Sequence, residues 1–259
     1  MSYFYGPVPS RRLGISLGVD LLPHKLCSFD CIYCQLKTSS RKVSRRKFYV
    51  NISKFRKELK EKLKKINSLD YITVSGSGEP TLHKDLDRII KEIKKISRNK
   101  YPVCVITNSS LLYRKTVRRE LMAADLIIPS LDAPDPKLFR KINRPARRIS
   151  FDKIIKGILK LREEFKGRIW LEIMLIKGVN DSISCANSFK EIIRLMRPDK
   201  VQINLPVRPN QLRNPLPPPR IVNQFKNIIS EDVKTEVVSY LRIGSRRRAG
   251  RASDRAVMD

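Results

Sequence analysis

The sequence predicts an α/β fold built on a parallel β-sheet. Short apolar runs alternate with longer amphipathic stretches, and the alternation repeats six times along the chain. The 259 residues and 41% hydrophobic content suffice to bury a sizeable core. Strands that alternate strictly with helices pair in parallel, because each helix returns the chain to the same end of the sheet.

The first half of the chain supplies three strand–helix units. The apolar runs GISLGVDLL, DYITVS and PVCVITN predict strands at 14–22, 70–75 and 102–108. Apolar residues at helical spacing predict helices at 53–66, 86–96 and 112–122. The first of these helices is strongly basic, and it follows a loop that contains three cysteines.

The second half repeats the pattern. The runs DLIIPSL, IWLEIMLI and KVQINL predict strands at 125–131, 169–176 and 200–205. Helical spacing predicts helices at 151–165, 184–196 and 220–229. The six units together are long enough for one large domain.

Composition and charge narrow the class of protein. The chain carries 55 Lys and Arg against 25 Asp and Glu, a formal charge of +30 at pH 7. Such a charge favours binding to polyanions, including nucleic acids. No apolar run approaches the roughly 18 residues that span a bilayer, and the amino terminus lacks the order of a secretory signal. We therefore expect a cytoplasmic protein with no membrane partner.

The positive charge is concentrated in three segments. Residues 37–66 hold thirteen basic residues against Glu58 and Glu61, and residues 137–148 hold six with no acid. A third cluster lies in 242–259, which we expect to be a basic, flexible tail outside a domain of residues 1–241. Charged runs are also typical of solvated helix faces, so charge alone identifies no substrate.

The cysteines point to a metal site. Five occur, and this odd number argues against a disulfide framework. Cys27, Cys31 and Cys34 fall within eight residues, with the spacing C-x3-C-x2-C. Cys104 lies in an apolar run and Cys185 in a predicted helix, so both are interpreted as small packed side chains.

Two kinds of metal group fit the three thiolates. Structural zinc takes four Cys or His ligands in tetrahedral geometry, and His24 is a candidate for the fourth. Three thiolates with an open fourth position suit an iron–sulfur cluster whose remaining iron binds another ligand. Spacing alone leaves both readings open.

The cysteine motif, with the aromatic Tyr33 directly before Cys34, resembles the signature of the radical S-adenosylmethionine (radical SAM) superfamily. The resemblance implies a partial (β/α)6 TIM-like barrel in which Cys27, Cys31 and Cys34 hold a [4Fe–4S] cluster. It also implies that the fourth iron binds S-adenosylmethionine (SAM). An electron donor such as ferredoxin or flavodoxin would drive reductive cleavage of SAM to a 5′-deoxyadenosyl radical.

A glycine-containing segment follows the second predicted strand. Reactive groups gather at the carboxyl ends of parallel strands. The resemblance implies that Gly76, Ser77, Gly78 and Glu79 hold the methionyl amine of SAM, although the commonest form of this motif has glycine where Ser77 stands. On its own, the segment favours an ordinary strand-to-helix turn with a glutamate near a helix start; behind a cysteine triad, binding is favoured.

Four other residues are candidates for binding SAM. Asn108, Ser130 and Asp132 follow the third and fourth strands and offer directional hydrogen bonds for ribose hydroxyls and the carboxylate. Tyr33 offers adenine an aromatic face or a backbone contact. The alternative interpretation is helix capping or turn formation for the three polar residues and core packing for Tyr33.

The segment GPVPSRRLG near the amino terminus is similar to one in a prokaryotic radical SAM group of unknown function. That group is often placed with the wybutosine-synthesis enzymes, which build a tricyclic base on tRNA. Arg11 and Arg12 are candidates for closing over the active site or binding an anionic substrate, and the alternative is a loop ion pair. Glu172, if it points into the barrel, requires a partner.

Three hypotheses for function remain. In the first, the basic segments dock a tRNA and a radical attacks a base presented out of its stack. In the second, the chain is a glycyl-radical-activase-like or small-molecule radical enzyme whose charge serves solubility or an acidic partner. In the third, it is a non-catalytic zinc-binding RNA module.

Overall fold

The computed structural model describes residues 2–36, 42–210, 212–213 and 215–238. The strands are β1 (Phe4–Ser10), β2 (Gly14–Val19), β3 (Tyr71–Val74), β4 (Val103–Thr107), β5 (Leu126–Pro129), β6 (Arg168–Met174), β7 (Lys200–Asn204) and β8 (Thr235–Val238). The helices are α1 (Ile52–Lys64), α2 (Leu86–Ile96), α3 (Lys115–Leu121), α4 (Pro136–Asn143), α5 (Phe151–Glu164), α6 (Ile183–Met196) and α7 (Pro219–Ser230). The expected tail at 242–259 lies outside the described residues.

The strands form one curled sheet in which each lies beside its neighbours in sequence, from β1 to β8. β1 pairs with β2 antiparallel, and every later pair is parallel. No described pairing joins β1 to β8, so the barrel stays open. The predicted α/β class and partial barrel are confirmed. No helix within the described part of the chain is long and apolar enough to span a bilayer.

Three elements were not predicted. β1 contains Pro7 and Pro9, which are unusual inside strands and tolerated at an edge. β8 is a short, half-buried strand at the other edge. The segment predicted only as a basic run contains α4, which Asp135 caps by accepting from the Lys137 and Leu138 amides.

Two apolar regions hold the sheet in shape. The larger one lies between the strands and the surrounding helices and includes Phe55, Phe165, Phe189 and Phe225, all at most 2% exposed. The smaller one consists of Leu13, Cys104, Leu126, Ile128 and Trp170. Because Leu13 lies in the β1–β2 turn, that turn packs across the amino-terminal end of the barrel and leaves the carboxyl end for the loops.

Candidate active site

The cysteine loop follows β2 and is held in place by α4. The Asp30 amide donates to the Asn143 carbonyl at 3.0 Å, and the Ile32 amide donates to the Ile142 carbonyl at 2.9 Å. The Ser28 carbonyl accepts from the Ala146 amide at 2.9 Å. The last turn of α4 and the residues after it therefore fix the backbone between the cysteines.

Asparagine side chains donate to two of the three thiols. Asn108 Nδ2 lies 3.4 Å from Cys27 Sγ, and Asn143 Nδ2 lies 3.4 Å from Cys31 Sγ. Burial, with the nearby Glu79 carboxylate, raises the pKa of Cys27 to about 12, and burial raises that of Cys31 well above its usual range. Buried thiols of this kind become good thiolates only when a cation replaces their protons.

The donor set suits an iron–sulfur cluster by its chemistry. The thiols are close enough for charge on Cys34 to raise the pKa of Cys27, and charge on Cys27 to raise that of Cys31. Thiolates are soft ligands, and a cubane binds each cysteine at a different iron, so three thiols leave one iron open for another ligand.

The turn after β3 packs directly on the cysteine loop. The Glu79 amide donates to the Leu26 carbonyl at 3.0 Å. A Cβ added at Gly78 would lie 2.3 Å from the same carbonyl, so this position requires glycine. Ser77 donates through its amide and hydroxyl to Asp20 Oδ2, at 2.8 and 2.7 Å. The residues predicted to hold SAM thus lie against the loop that carries the cysteines.

Glu79 is buried, and its carboxylate connects its own turn to the end of β4. Its Oε1 accepts from the amide and hydroxyl of Thr81 and from the hydroxyl of Thr107, while Oε2 accepts from the Asn108 amide at 2.7 Å. Burial raises the pKa of this carboxyl, and the hydrogen bonds partly oppose that shift. Among the described residues one donor, the Asn108 amide, reaches Oε2, so this oxygen keeps capacity for a second.

Asn108 and Ser130 end neighbouring strands. Asn108 Nδ2 also donates to Ser28 Oγ at 3.1 Å, and its Oδ1 accepts from the Ser110 amide at 3.0 Å. The Ser130 amide donates to the Thr107 carbonyl at 2.9 Å, and the Ser130 carbonyl accepts from the Ser109 hydroxyl at 2.8 Å. Both lie at the carboxyl end of the sheet, where the sequence places them, and their contacts with SAM stay predictions.

Asp132 is 3% exposed and forms the centre of a network. Its Oδ2 accepts from the Tyr33 hydroxyl at 2.6 Å and from Asn143 Nδ2 at 2.7 Å, and its Oδ1 accepts from the Met174 amide at 3.0 Å. Burial raises the pKa of Asp132 to about 6. The network ties the cysteine loop to α4 and β6, and the predicted roles of Tyr33 and Asp132 toward SAM stay predictions.

Sequence reasoning missed two residues of this site. Asn143 was not a candidate because α4, the helix that carries it, was not predicted. Asp135 followed by Pro136 is nevertheless a typical helix start. Asp20, which anchors Ser77, lies in the predicted first strand and gives no signal of its own. Both act through contacts between segments far apart in the chain.

The arginine motif reaches the barrel interior. Arg12 forms an ion pair with Glu172, and the two side chains are 15% and 9% exposed. Of the two directions that the alternation left open for Glu172, the structure has the inward one, and Arg12 is its partner. Arg12 thus forms an ion pair, but with a residue of strand β6 and not within its own loop.

Residues 21–184 match the family model described as "Radical SAM superfamily". The chain is 35% identical over 245 residues to the UPF0026 protein MJ1312 of Methanocaldococcus jannaschii, covering 93% of this chain and 75% of that protein. It is 47% identical over 199 residues to a Brachyspira hyodysenteriae protein named GTPase Obg, covering 77% of this chain. It spans only 29% of that longer protein's length.

Two more distant proteins are also similar. A probable dual-specificity RNA methyltransferase RlmN of Caldicellulosiruptor saccharolyticus is 29% identical over 187 residues, covering 69% of this chain and 51% of the relative. The solved structure "Structure of TYW1 with a lysine-pyruvate adduct bound" superposes with a TM-score of 0.64 at 19% identity. That superposition covers 84% of this chain and 74% of the other.

Proposed function

Because the chain belongs to the radical SAM superfamily, we propose that it is an enzyme of that class and that its substrate is an RNA. Enzymes of the superfamily use a [4Fe–4S] cluster and SAM. The observation that carries the proposal is the packing of the Gly76–Glu79 turn and the Asn108 amide on the cysteine loop. This packing gathers thiols, polar donors and exposed backbone at the carboxyl end of the sheet.

Cys27, Cys31 and Cys34 are the proposed cluster ligands. When bound and reduced, by a donor such as ferredoxin or flavodoxin, the cluster supplies the electron that cleaves SAM to a 5′-deoxyadenosyl radical. Asn108 and Asn143 stabilise the thiolates of Cys27 and Cys31 by donating to their sulfurs. The backbone around Gly78 and the remaining lone pair of Glu79 Oε2 orient the methionyl amine of SAM.

RNA is the proposed substrate because of the charge beside the cysteine loop. A cleft of about 550 Å³ is lined by Lys42, Arg140, Arg144 and Arg147, with Asp152 as its acidic lining residue. These cations come from the two predicted basic segments, and the hydrogen bond from Ala146 to Ser28 holds the second segment on the cysteine loop. The RlmN relative, named as an RNA methyltransferase, supports the same substrate class.

The test begins with the cluster. Protein reconstituted under anaerobic conditions should hold about four irons per chain and show the broad visible absorption of a thiolate-bound cluster. It should release 5′-deoxyadenosine from SAM when dithionite is added. Cys31→Ala should abolish release, whereas Cys185→Ala, in α6, should retain it. Stoichiometric zinc without iron would instead support the zinc-binding module.

The second step tests the substrate. Unmodified tRNA and rRNA transcripts are incubated with the reduced enzyme and SAM, digested, and searched for nucleosides of changed mass. A new nucleoside that depends on SAM and on Cys31 supports the proposal. SAM cleavage with no change in any RNA, together with modification of a peptide or metabolite, would establish the alternative radical enzyme.

A further inference from the structure

A second cleft, beside the cysteine loop, is built almost entirely from cations. It has a volume of about 430 Å³ and is lined by Ser44, Arg45, Arg46, Lys84, Arg114, Thr116 and Arg148. No lining residue is acidic. The lining comes from the segment after the cysteine loop, the loop after β3, the start of α3 with the residue before it, and the loop between α4 and α5.

One of the five cations is used by the fold. Arg46 forms an ion pair with Glu120 and donates to the carbonyls of Thr81 and His83, at 2.7 and 2.6 Å. These bonds fix the floor of the cleft. The position of Arg46 is therefore explained without any ligand.

The other four cations have no such role. No described carboxylate forms an ion pair with Arg45, Lys84, Arg114 or Arg148 within 4.0 Å, although Arg114 Nε donates to the Tyr113 hydroxyl. Like charges held together raise the free energy of the empty cleft, and a bound anion relieves this repulsion. The chemistry of the lining thus selects an anion with several acceptor oxygens.

Backbone hydrogen bonds attach the segments that line the cleft to the cysteine loop and to each other. The Val43 amide donates to the Cys27 carbonyl at 2.8 Å, and the Lys84 amide donates to the Lys47 carbonyl at 2.8 Å. The cations are therefore carried on segments that hydrogen bonds hold in place. An anion bound here lies beside the loop that contains the proposed cluster ligands.

An exposed aromatic ring adjoins the cleft. Phe48 is 69% exposed, and Lys84 Nζ lies 5.6 Å from the centre of its ring. Its ring also lies edge-on to His83, with the centroids 6.5 Å apart. A large apolar ring left in water beside a cationic cleft is the arrangement on which a nucleobase stacks.

We propose that this cleft binds a backbone phosphate of a single-stranded RNA segment while Phe48 stacks on a neighbouring base. The inference rests on the proposed function and deepens it, because it assigns the contacts that hold the RNA beside the reaction site. The phosphate is bound by Arg45, Lys84, Arg114 and Arg148. The stacked base distinguishes a nucleic acid from polyanions that have no bases.

The charge test uses two matched triple variants. Arg45→Gln, Arg114→Gln and Arg148→Gln remove three charges from the cleft, while Lys95→Gln, Lys156→Gln and Lys166→Gln remove three exposed charges from α2, α5 and the α5–β6 turn. Fluorescence anisotropy measures the Kd of a labelled tRNA transcript against salt concentration. The cleft variant should bind on the order of tenfold more weakly near 0.1 M salt, with a log–log slope lower by about 0.7 for each lost contact.

The stacking test uses Phe48→Ala and heparin, a polyanion without bases. Phe48→Ala should weaken tRNA binding by about fivefold or more, since base–aromatic stacking contributes ~1–3 kcal/mol. It should leave heparin binding unchanged. Urea unfolding of every variant confirms that it is folded, and Phe48→Leu provides a second substitution if Phe48→Ala unfolds.

The outcomes separate this inference from the proposed function. If the enzyme modifies an RNA but the two triple variants bind it equally well, the cleft assignment is wrong and the function stands. If Phe48→Ala weakens heparin and tRNA alike, the base contact is wrong. If the wild-type enzyme modifies no RNA, both the proposed function and the assignment of the cleft are wrong.

Discussion

Tyr33 donates its hydroxyl to Asp132 at 2.6 Å, although the two residues are 99 positions apart. The same Asp132 oxygen accepts from Asn143, whose amide group also donates to Cys31. One buried carboxylate therefore positions the residue before Cys34 and the hydrogen-bond donor to Cys31. This carboxylate therefore helps to fix the conformation of the cysteine loop.

Removing the carboxylate should loosen the loop. We expect Asp132→Ala to lower the free energy of unfolding by about 2–4 kcal/mol, because it leaves buried donors on Tyr33, Asn143 and Met174 without an acceptor. Tyr33→Phe removes a single bond and should cost only about 1 kcal/mol. Urea unfolding of the iron-free protein measures both, and equal losses for the two variants would contradict the central role of Asp132.

The ion pair inside the barrel gives a second prediction. Arg12→Met should cost about 3–5 kcal/mol, because it leaves the Glu172 carboxylate buried without its partner. Adding Glu172→Gln should recover most of the loss. Glu163→Gln is the control, since Lys160 and Glu163 are 47% and 55% exposed and should contribute less than about 1 kcal/mol. A double variant as unstable as Arg12→Met would contradict the pairing.

The two asparagines should tune the bound cluster. A hydrogen bond to a thiolate stabilises the reduced cluster more than the oxidised one, because the reduced cluster carries more negative charge. Asn108→Ala and Asn143→Ala should therefore each lower the reduction potential. A loss of ~1 kcal/mol corresponds to roughly 40 mV for one electron. Redox titration followed by electron paramagnetic resonance measures the shift. Asn187→Ala, exposed on α6, should leave the potential unchanged, and a rise in either site variant would overturn the assignment.

Gly78 should be intolerant of a side chain. A Cβ there would meet the Leu26 carbonyl at 2.3 Å and Leu22 at 2.9 Å, so Gly78→Ala must displace the residue before Cys27. We expect this variant to retain fewer irons after reconstitution. Gly178→Ala is the control: nothing lies within 4 Å of its added Cβ, and its φ of +66° costs only about 1–2 kcal/mol. Equal iron content in the two variants would contradict the close packing.

His83 should make stability depend on pH. Burial, with the nearby Arg46 charge, lowers the pKa of His83 from 6.5 to about 4, and its Nδ1 accepts from the Tyr49 amide at 3.2 Å. Below pH 6.5 the unfolded chain therefore binds a proton that the native chain does not. The free energy of unfolding should fall as pH drops from 6.5 toward 4, by at most about 1.4 kcal/mol per pH unit.

A residue that does not titrate supplies the control for this prediction. His83→Gln should flatten the pH dependence between 6.5 and 4, because glutamine does not titrate. Asn187→Gln changes an exposed residue of α6 that does not titrate, and it should keep the slope of the wild type. Urea unfolding at a series of pH values compares the three proteins, and an unchanged slope in His83→Gln would refute the role of His83.

The amino-acid sequence determined the secondary elements and the cysteine motif. The predicted helix at 86–96 coincides with α2, and the other predicted elements differ from the observed ones by a few residues at their ends. Apolar periodicity and the C-x3-C-x2-C spacing are local properties, so they can be read without the fold. The edge strands β1 and β8 escaped prediction because half-exposed strands carry little apolar pattern.

Only the tertiary structure decided which distant residues meet. It paired Arg12 with Glu172, placed Asn143 on Cys31 across 112 positions, and gathered five cations in one cleft beside Phe48. Each of these contacts joins segments that belong to or follow different strands. Their distances depend on the strand order and the curl of the sheet, which side-chain periodicity along one segment does not encode.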